Sequence, residues 1–168
     1  MGKKLFKNTN DMIKYLKHES EKVLTEVIDK KVIPVIQQAI LDEVYAKYTP
    51  SGANPYERRG EHGGLADPKW LEQGKVVTTG ENFVKINVRS IAPRNGDNYW
   101  VHNGFMLDAI IVEGDKYTWK NSQIYWQQPF PRDFYEVARE VMRDKLPKLI
   151  QKEFKKRGIE CNFRVTIN

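Results

Sequence analysis

One cysteine, three histidines and no long apolar run leave this 168-residue chain few routes to redox chemistry, metal binding or a membrane. Cys161 has no second cysteine with which to close an internal bridge, which fits a reducing compartment or indifference to redox state. Its neighbours Phe163, Val165 and Ile167 predict an ordinary packed thiol. No stretch approaches the roughly 18–20 apolar residues that span a bilayer. The start, Met1 to Asn8, carries lysines but no apolar signal core, and no myristoylation pattern follows Gly2. These features point to a protein made and used in a cytoplasm, or released from one by lysis. His18, His62 and His102 do not stand at metal-ligand spacings from one another or from Cys161. No Gly-Lys-Ser/Thr phosphate loop and no nucleophile elbow at Ser51 or Ser90 is present. The balance therefore moves from enzyme toward structural or interaction protein, with no cofactor expected.

What is there is charge, and it is unevenly placed. The net charge is +6. Residues 1–50 carry nine Lys against seven acids, and residues 51–131 carry nine of each sign. Residues 132–168 carry ten basic against six acidic residues, so the excess sits mainly at the C-terminal end. A basic helix of this kind faces water, an acidic protein or nucleic acid.

The apolar pattern predicts one α+β domain over 1–168. Met12, Leu16, Val23 and Val27 keep helical spacing after the capping residues Thr9-Asn10-Asp11. A neighbouring stripe runs through Leu24, Ile28, Val35, Ile36, Ala39, Ile40 and Val44. Pro34 lacks the N–H of a helix interior, which predicts a long N-terminal helix kinked near Pro34. Residues 48–70, punctuated by Pro50, Gly52, Pro55, Gly60, Gly63, Gly64 and Pro68, read as an extended Pro/Gly-rich loop insertion. Lys75–Thr79 and Asn82–Arg89 read as a hairpin around Thr79-Gly80-Glu81. A second loop covers 92–104, and Ala109–Glu113 is a short strand or helix end. Asp133 caps a final helix that runs to about Arg157, is disturbed at Pro147 and stops at Gly158. Its stripe is Phe134, Val137, Val141, Leu146, Leu149, Ile150 and Phe154, and residues 162–168 alternate like a closing strand. The expected architecture is thus two helices packed on a small antiparallel sheet, with long loops.

Candidate chemistry is sparse. His62, His102 and Asp108 form a conceivable hydrolytic set, but nothing in their spacing brings them together. Trp100, Trp119 and Trp126 lie in aromatic-rich stretches that suit a core, a protein interface or base stacking.

The order of the segments resembles the tail-completion, or minor tail component, family of long-tailed bacteriophages. The matching residues are Tyr48-Thr49-Pro50, Arg58-Arg59-Gly60 with Gly63-Gly64-Leu65, Val112-Glu113-Gly114, and Pro129-Phe130 ahead of Ala138. The resemblance covers about residues 10–157. It implies a non-enzymatic ring subunit, of six copies, at the head–tail junction of the virion. Its implied neighbours are connector or head-closure proteins and tail-terminator or tail-tube proteins, with no membrane contact. Tyr56, Arg58, Arg59 and Leu65 are expected at a subunit contact, with Trp100, Trp119 and Trp126 as further interface residues. Lys148, Lys152, Lys155, Lys156 and Arg157 are expected to face outward, toward genomic DNA in the lumen. The alternative reading is a basic nucleic-acid-binding module.

Overall fold

A computed structural model describes residues 5–47, 49, 60–92, 107–114, 130–160 and 162–167. It is α+β, as expected, with long helices at both ends of the chain and one small antiparallel sheet.

The N-terminal helix starts one residue earlier than its capping cluster suggests. Asn8 is the cap, its side chain accepting from the Asp11 N–H at 2.9 Å. Helix α1 runs Thr9–Val27, and α2 runs Ile33–Ile40. Between them lies a single π-helical turn, Ile28–Val32, and a second, Leu41–Tyr45, extends α2. The first explains how Pro34 is tolerated. In a regular α-helix its ring would meet the carbonyl of Lys30. The wider turn, closed by the Ile33 N–H on the Ile28 carbonyl, lets the helix pass the proline. The expected kink is therefore a π turn placed just ahead of the proline.

That turn also changes the face of the helix that is buried. At 100° per residue, Ile36 would lie about half a turn away from Val27. One extra residue winds the following helix back by about a quarter turn. Val23 and Val27 then join one core, with Met142, Leu146, Ile150, Phe154 and Ile159. Ile33, Ile36, Ala39, Ile40 and Val44 join the other, with Leu65, Leu71, Ile111, Phe134 and Ala138. Val32 and Val35 touch both.

The end of the 48–70 insertion is folded. Gly60–Ala66 forms turns, and α3 follows at Pro68–Gln73, capped by the Asp67 side chain. Gly74 ends it where a Cβ would lie 1.8 Å from the Arg89 carbonyl, so only glycine fits this approach. Strands β1 (Val76–Thr79) and β2 (Val84–Asn87) pair antiparallel, with Val77 opposite Ile86 and Thr79 opposite Val84. Two-stranded hairpins are marginal alone. This one is braced by a hydrogen bond from Thr79 to Glu21 of α1 and by an ion pair from Lys75 to Asp29 within the π turn.

Ala109–Glu113, open between strand and helix in sequence, belongs to helix α4 (Leu107–Glu113). The expected single C-terminal helix is two: α5 (Phe134–Met142), capped by Asp133 as predicted, and α6 (Lys145–Lys156). The break falls at 143–144, so Pro147 sits in the first turn of α6, where no N–H is required. The break also re-phases the stripe: Met142 is buried and Val141 is 41% exposed, the reverse of the periodic reading. Gly158 closes α6 at φ 70°. Residues 162–167 form no strand. Val165 and Ile167 pack against the second core and Phe163 lies 5.3 Å from the Phe154 ring, which preserves the alternation without a paired backbone.

Gly74→Ala is expected to destabilise the fold by about 1–3 kcal/mol or more, because the clash is with backbone and cannot be relieved by a rotamer. Urea unfolding of the two proteins measures it.

Candidate interaction surfaces and the buried polar node

The best-formed polar cluster joins three elements. Asp108, at the start of α4, is 1% exposed. Its carboxylate accepts two hydrogen bonds from Arg89, at 2.8 and 3.2 Å, and one from the Tyr135 hydroxyl at 2.9 Å. The Tyr135 oxygen in turn accepts from the Ser90 N–H at 2.7 Å. Residues 89–90 just beyond β2, helix α4 and helix α5 are thereby tied at one point. Burial, then the Asp108 charge, pushes the Tyr135 phenol above its ordinary range, so it stays a donor through the neutral pH range. Every partner of the carboxylate is a structural neighbour, and the arrangement acts as a clamp. The conceivable set of Asp108 with His62 and His102 is not what surrounds this carboxylate among the described residues. His62 is exposed, and His102 lies outside the described residues. Arg89, Ser90 and Tyr135 carried no signal, because their separations of 19 and 45 residues become contacts only through the fold.

The glycine-rich turn is pinned to the body. Gly63 N–H donates to the buried Asp67 carboxylate at 2.7 Å, and Gln37 of α2 donates to the Ala66 carbonyl at 3.1 Å. Burial raises the Asp67 pKa, but hydrogen bonds from the Lys69 and Gly63 N–H groups outweigh it and hold the carboxyl below its usual value. Leu65, expected at a subunit contact, is 1% exposed and sits in the first core. This is a correction: the turn folds inward because its apolar residue supplies the packing against α2. Tyr56, Arg58, Arg59, Trp100, Trp119 and Trp126 lie outside the described residues, as does Cys161.

On the C-terminal helix the expected basic residues divide. Lys148, Lys152, Lys155 and Lys156 are exposed. Arg157 is not a free outward cation: its guanidinium pairs with Glu19 at 3.1 Å and Glu26 at 2.8 Å, clamping the end of α6 to α1. Burial pushes Glu19 up, but Arg157 and Lys22 together outweigh it and leave the carboxyl lowered. Glu26 is lowered first by Lys30 and then by Arg157.

The hairpin offers the clearest exposed apolar surface. Val76 and Phe83 are each 56% exposed and Val77 is 42% exposed. Behind it, a cleft opens between β2, the helices and residues 162–167, walled by Leu16, Leu24, Val84, Ile86 and Val165. Among the described residues there is no group of three or more His, Cys, Asp or Glu placed to hold a metal ion.

These features define a small α+β protein with two cores, a clamped polar node and an exposed hairpin. Among its described residues no helix is long and apolar enough to cross a membrane. The chain belongs to the YomN family, whose model matches residues 8–156, and the family is phage-associated. No curated protein and no solved structure matches the chain at a significant level.

Tyr135→Phe is expected to cost about 1–3 kcal/mol, since it orphans the Ser90 N–H and removes a donor from a buried carboxylate. Equilibrium unfolding in urea measures that loss. A second expectation concerns acid. Glu19 and Glu26 have lowered pKa values when folded, so their contribution is complete above the ordinary glutamate value of 4.5 and is lost as pH falls through the folded values. Thermal melts below about pH 4.5 should therefore show a decline that is shallower in the Glu19→Gln, Glu26→Gln double variant.

Proposed function

We propose that this protein is a non-enzymatic virion structural subunit, a tail-completion or neck component that forms a ring at the head–tail junction of a phage particle. The observation that carries the reading is membership of a phage-associated family over residues 8–156. The order of motifs that resembles tail-completion proteins supplies the finer placement. In this reading the neighbours are further copies of the chain, most simply in a six-membered ring, with connector or head-closure proteins on one side and tail-terminator or tail-tube proteins on the other.

The fold supports the reading physically. A closed ring requires a head-to-tail interface, in which two different patches of each subunit meet. The hairpin is suited to be one of them, because it presents Val76 and Phe83 outward and, among the described residues, β1 has β2 as its one strand partner. Exposed apolar edges of this kind are held in check in monomers by charge or cover, and are used for partner binding where they persist. Tyr56, Arg58, Arg59, Trp100, Trp119 and Trp126 remain candidates for the facing patch.

Quantitative mass spectrometry of purified particles is expected to give about six or twelve copies per particle. Absence from particles overturns the reading. Val76→Lys with Phe83→Ser is expected to leave the melting temperature of the isolated chain within about 2–4 °C, as for surface substitutions. The same variant should be depleted several-fold from particles. Full incorporation of the variant would remove the hairpin from the interface.

A further inference from the structure

Four lysines of this protein share one pattern. Lys22, Lys30, Lys47 and Lys156 each pair with a glutamate three or four residues away on their own helix, at Glu19, Glu26, Glu43 and Glu153. This is the spacing that stabilises a helix. On the outer face of α6 four others have no such partner. Lys145, Lys148, Lys152 and Lys155 are all exposed and follow one another at spacings of three and four residues, with Asp144, four residues before Lys148, the one acid at such a spacing from any of them. None has an ion-pair partner among the described residues.

At 100° per residue the four fall within an arc of about 80°, and at 1.5 Å per residue they span about 15 Å. That arc lies opposite Leu146, Ile150 and Phe154, the buried residues of the same helix. Like charges at these spacings destabilise a helix, and Lys145 and Lys148 also stand in its first turn, at the positive end of the macrodipole. Four like charges are thus gathered on one face of a single helix with no ion pair from any of them among the described residues, a local conflict of the kind that marks functional surfaces. The helix itself is held firmly, by its core side and by Arg157 on Glu19 and Glu26.

We infer that the Lys145, Lys148, Lys152 and Lys155 face of α6 is a docking surface for the phosphate backbone of double-stranded DNA. A rigid row of cations matches a polyanion whose charges recur every ~1.7 Å along the duplex axis, and its binding is independent of base sequence. The phosphates relieve the repulsion among the lysines, so the surface that is unfavourable in the free chain becomes favourable in the complex. This goes beyond the ring reading: the isolated chain can bind a duplex with no ring, and a ring can form with no duplex bound.

The test is a titration of the full chain against a labelled duplex of about 30 base pairs, repeated between about 50 and 200 mM salt. A variant with Lys145→Gln, Lys148→Gln, Lys152→Gln and Lys155→Gln is compared with a control of equal net charge, carrying Lys7→Gln, Lys14→Gln, Lys31→Gln and Lys85→Gln. The first variant is expected to bind at least about tenfold more weakly, with a salt dependence shallower by roughly 3–4 in the log–log slope, and the control to stay within about twofold of the parent. The first variant should also melt no lower than the parent, and replacement of the same four lysines by arginine should keep binding. Equal loss in both glutamine variants would reduce the effect to net charge and overturn the inference. So would no duplex binding by the parent, tighter binding to polyglutamate than to the duplex, or a lowered melting temperature in the first variant.

Discussion

One π-helical turn, Ile28–Val32, sets the relation between the two cores. The N-terminal helix contributes several buried side chains to each. A straight α-helix would point Val23 and Val27 to one side and Ile36 and Ile40 to nearly the opposite side. The single wider turn brings the two faces closer, so that α5 and the glycine-rich turn pack on one segment and α6 on the other. A proline placed just after the turn disfavours its relaxation to a regular α-helix, because the missing N–H removes the bond that such a helix would gain. The Lys75–Asp29 pair then anchors the hairpin beside that turn.

Polar groups complete what apolar burial begins. Hydrophobic contact brings β2, α4 and α5 together but does not select a single alignment. The Asp108 carboxylate does, since its bonds to Arg89 and Tyr135 are satisfied in one geometry and an orphaned buried charge is costly. Arg157 acts similarly at the far end of the molecule, fixing α6 to α1 across two glutamates. These clamps leave the hairpin and the lysine face of α6 as the surfaces whose composition the fold itself does not require.

Most of the secondary structure is legible in the sequence where periodicity and punctuation agree. The hairpin around Thr79-Gly80-Glu81, the Asp133 cap and the Gly158 stop were each readable from local chemistry alone, and the structure has all three. Legibility fails where a small phase change intervenes. The break at 143–144 exchanges the roles of Val141 and Met142, and alternation at Phe163, Val165 and Ile167 reads as a strand although one-sided packing on a core produces the same pattern. Leu65 reads as an interface residue because it ends a glycine-rich loop. Its burial depends on α2, which is distant in sequence.

The class of the fold, its helical ends and hairpin, and the concentration of positive charge toward the C-terminus can all be read along the chain, because each depends on neighbours within a few residues. Which cations are paired and which stay exposed is set by how the helices pack. Arg157 and Lys155 are two residues apart and chemically alike, yet one is engaged with Glu19 and Glu26 and the other is exposed. The same holds for Asp108, whose partners are 19 and 27 residues away. Contacts at such separations are set by the packing of whole elements, and no local spacing rule encodes them.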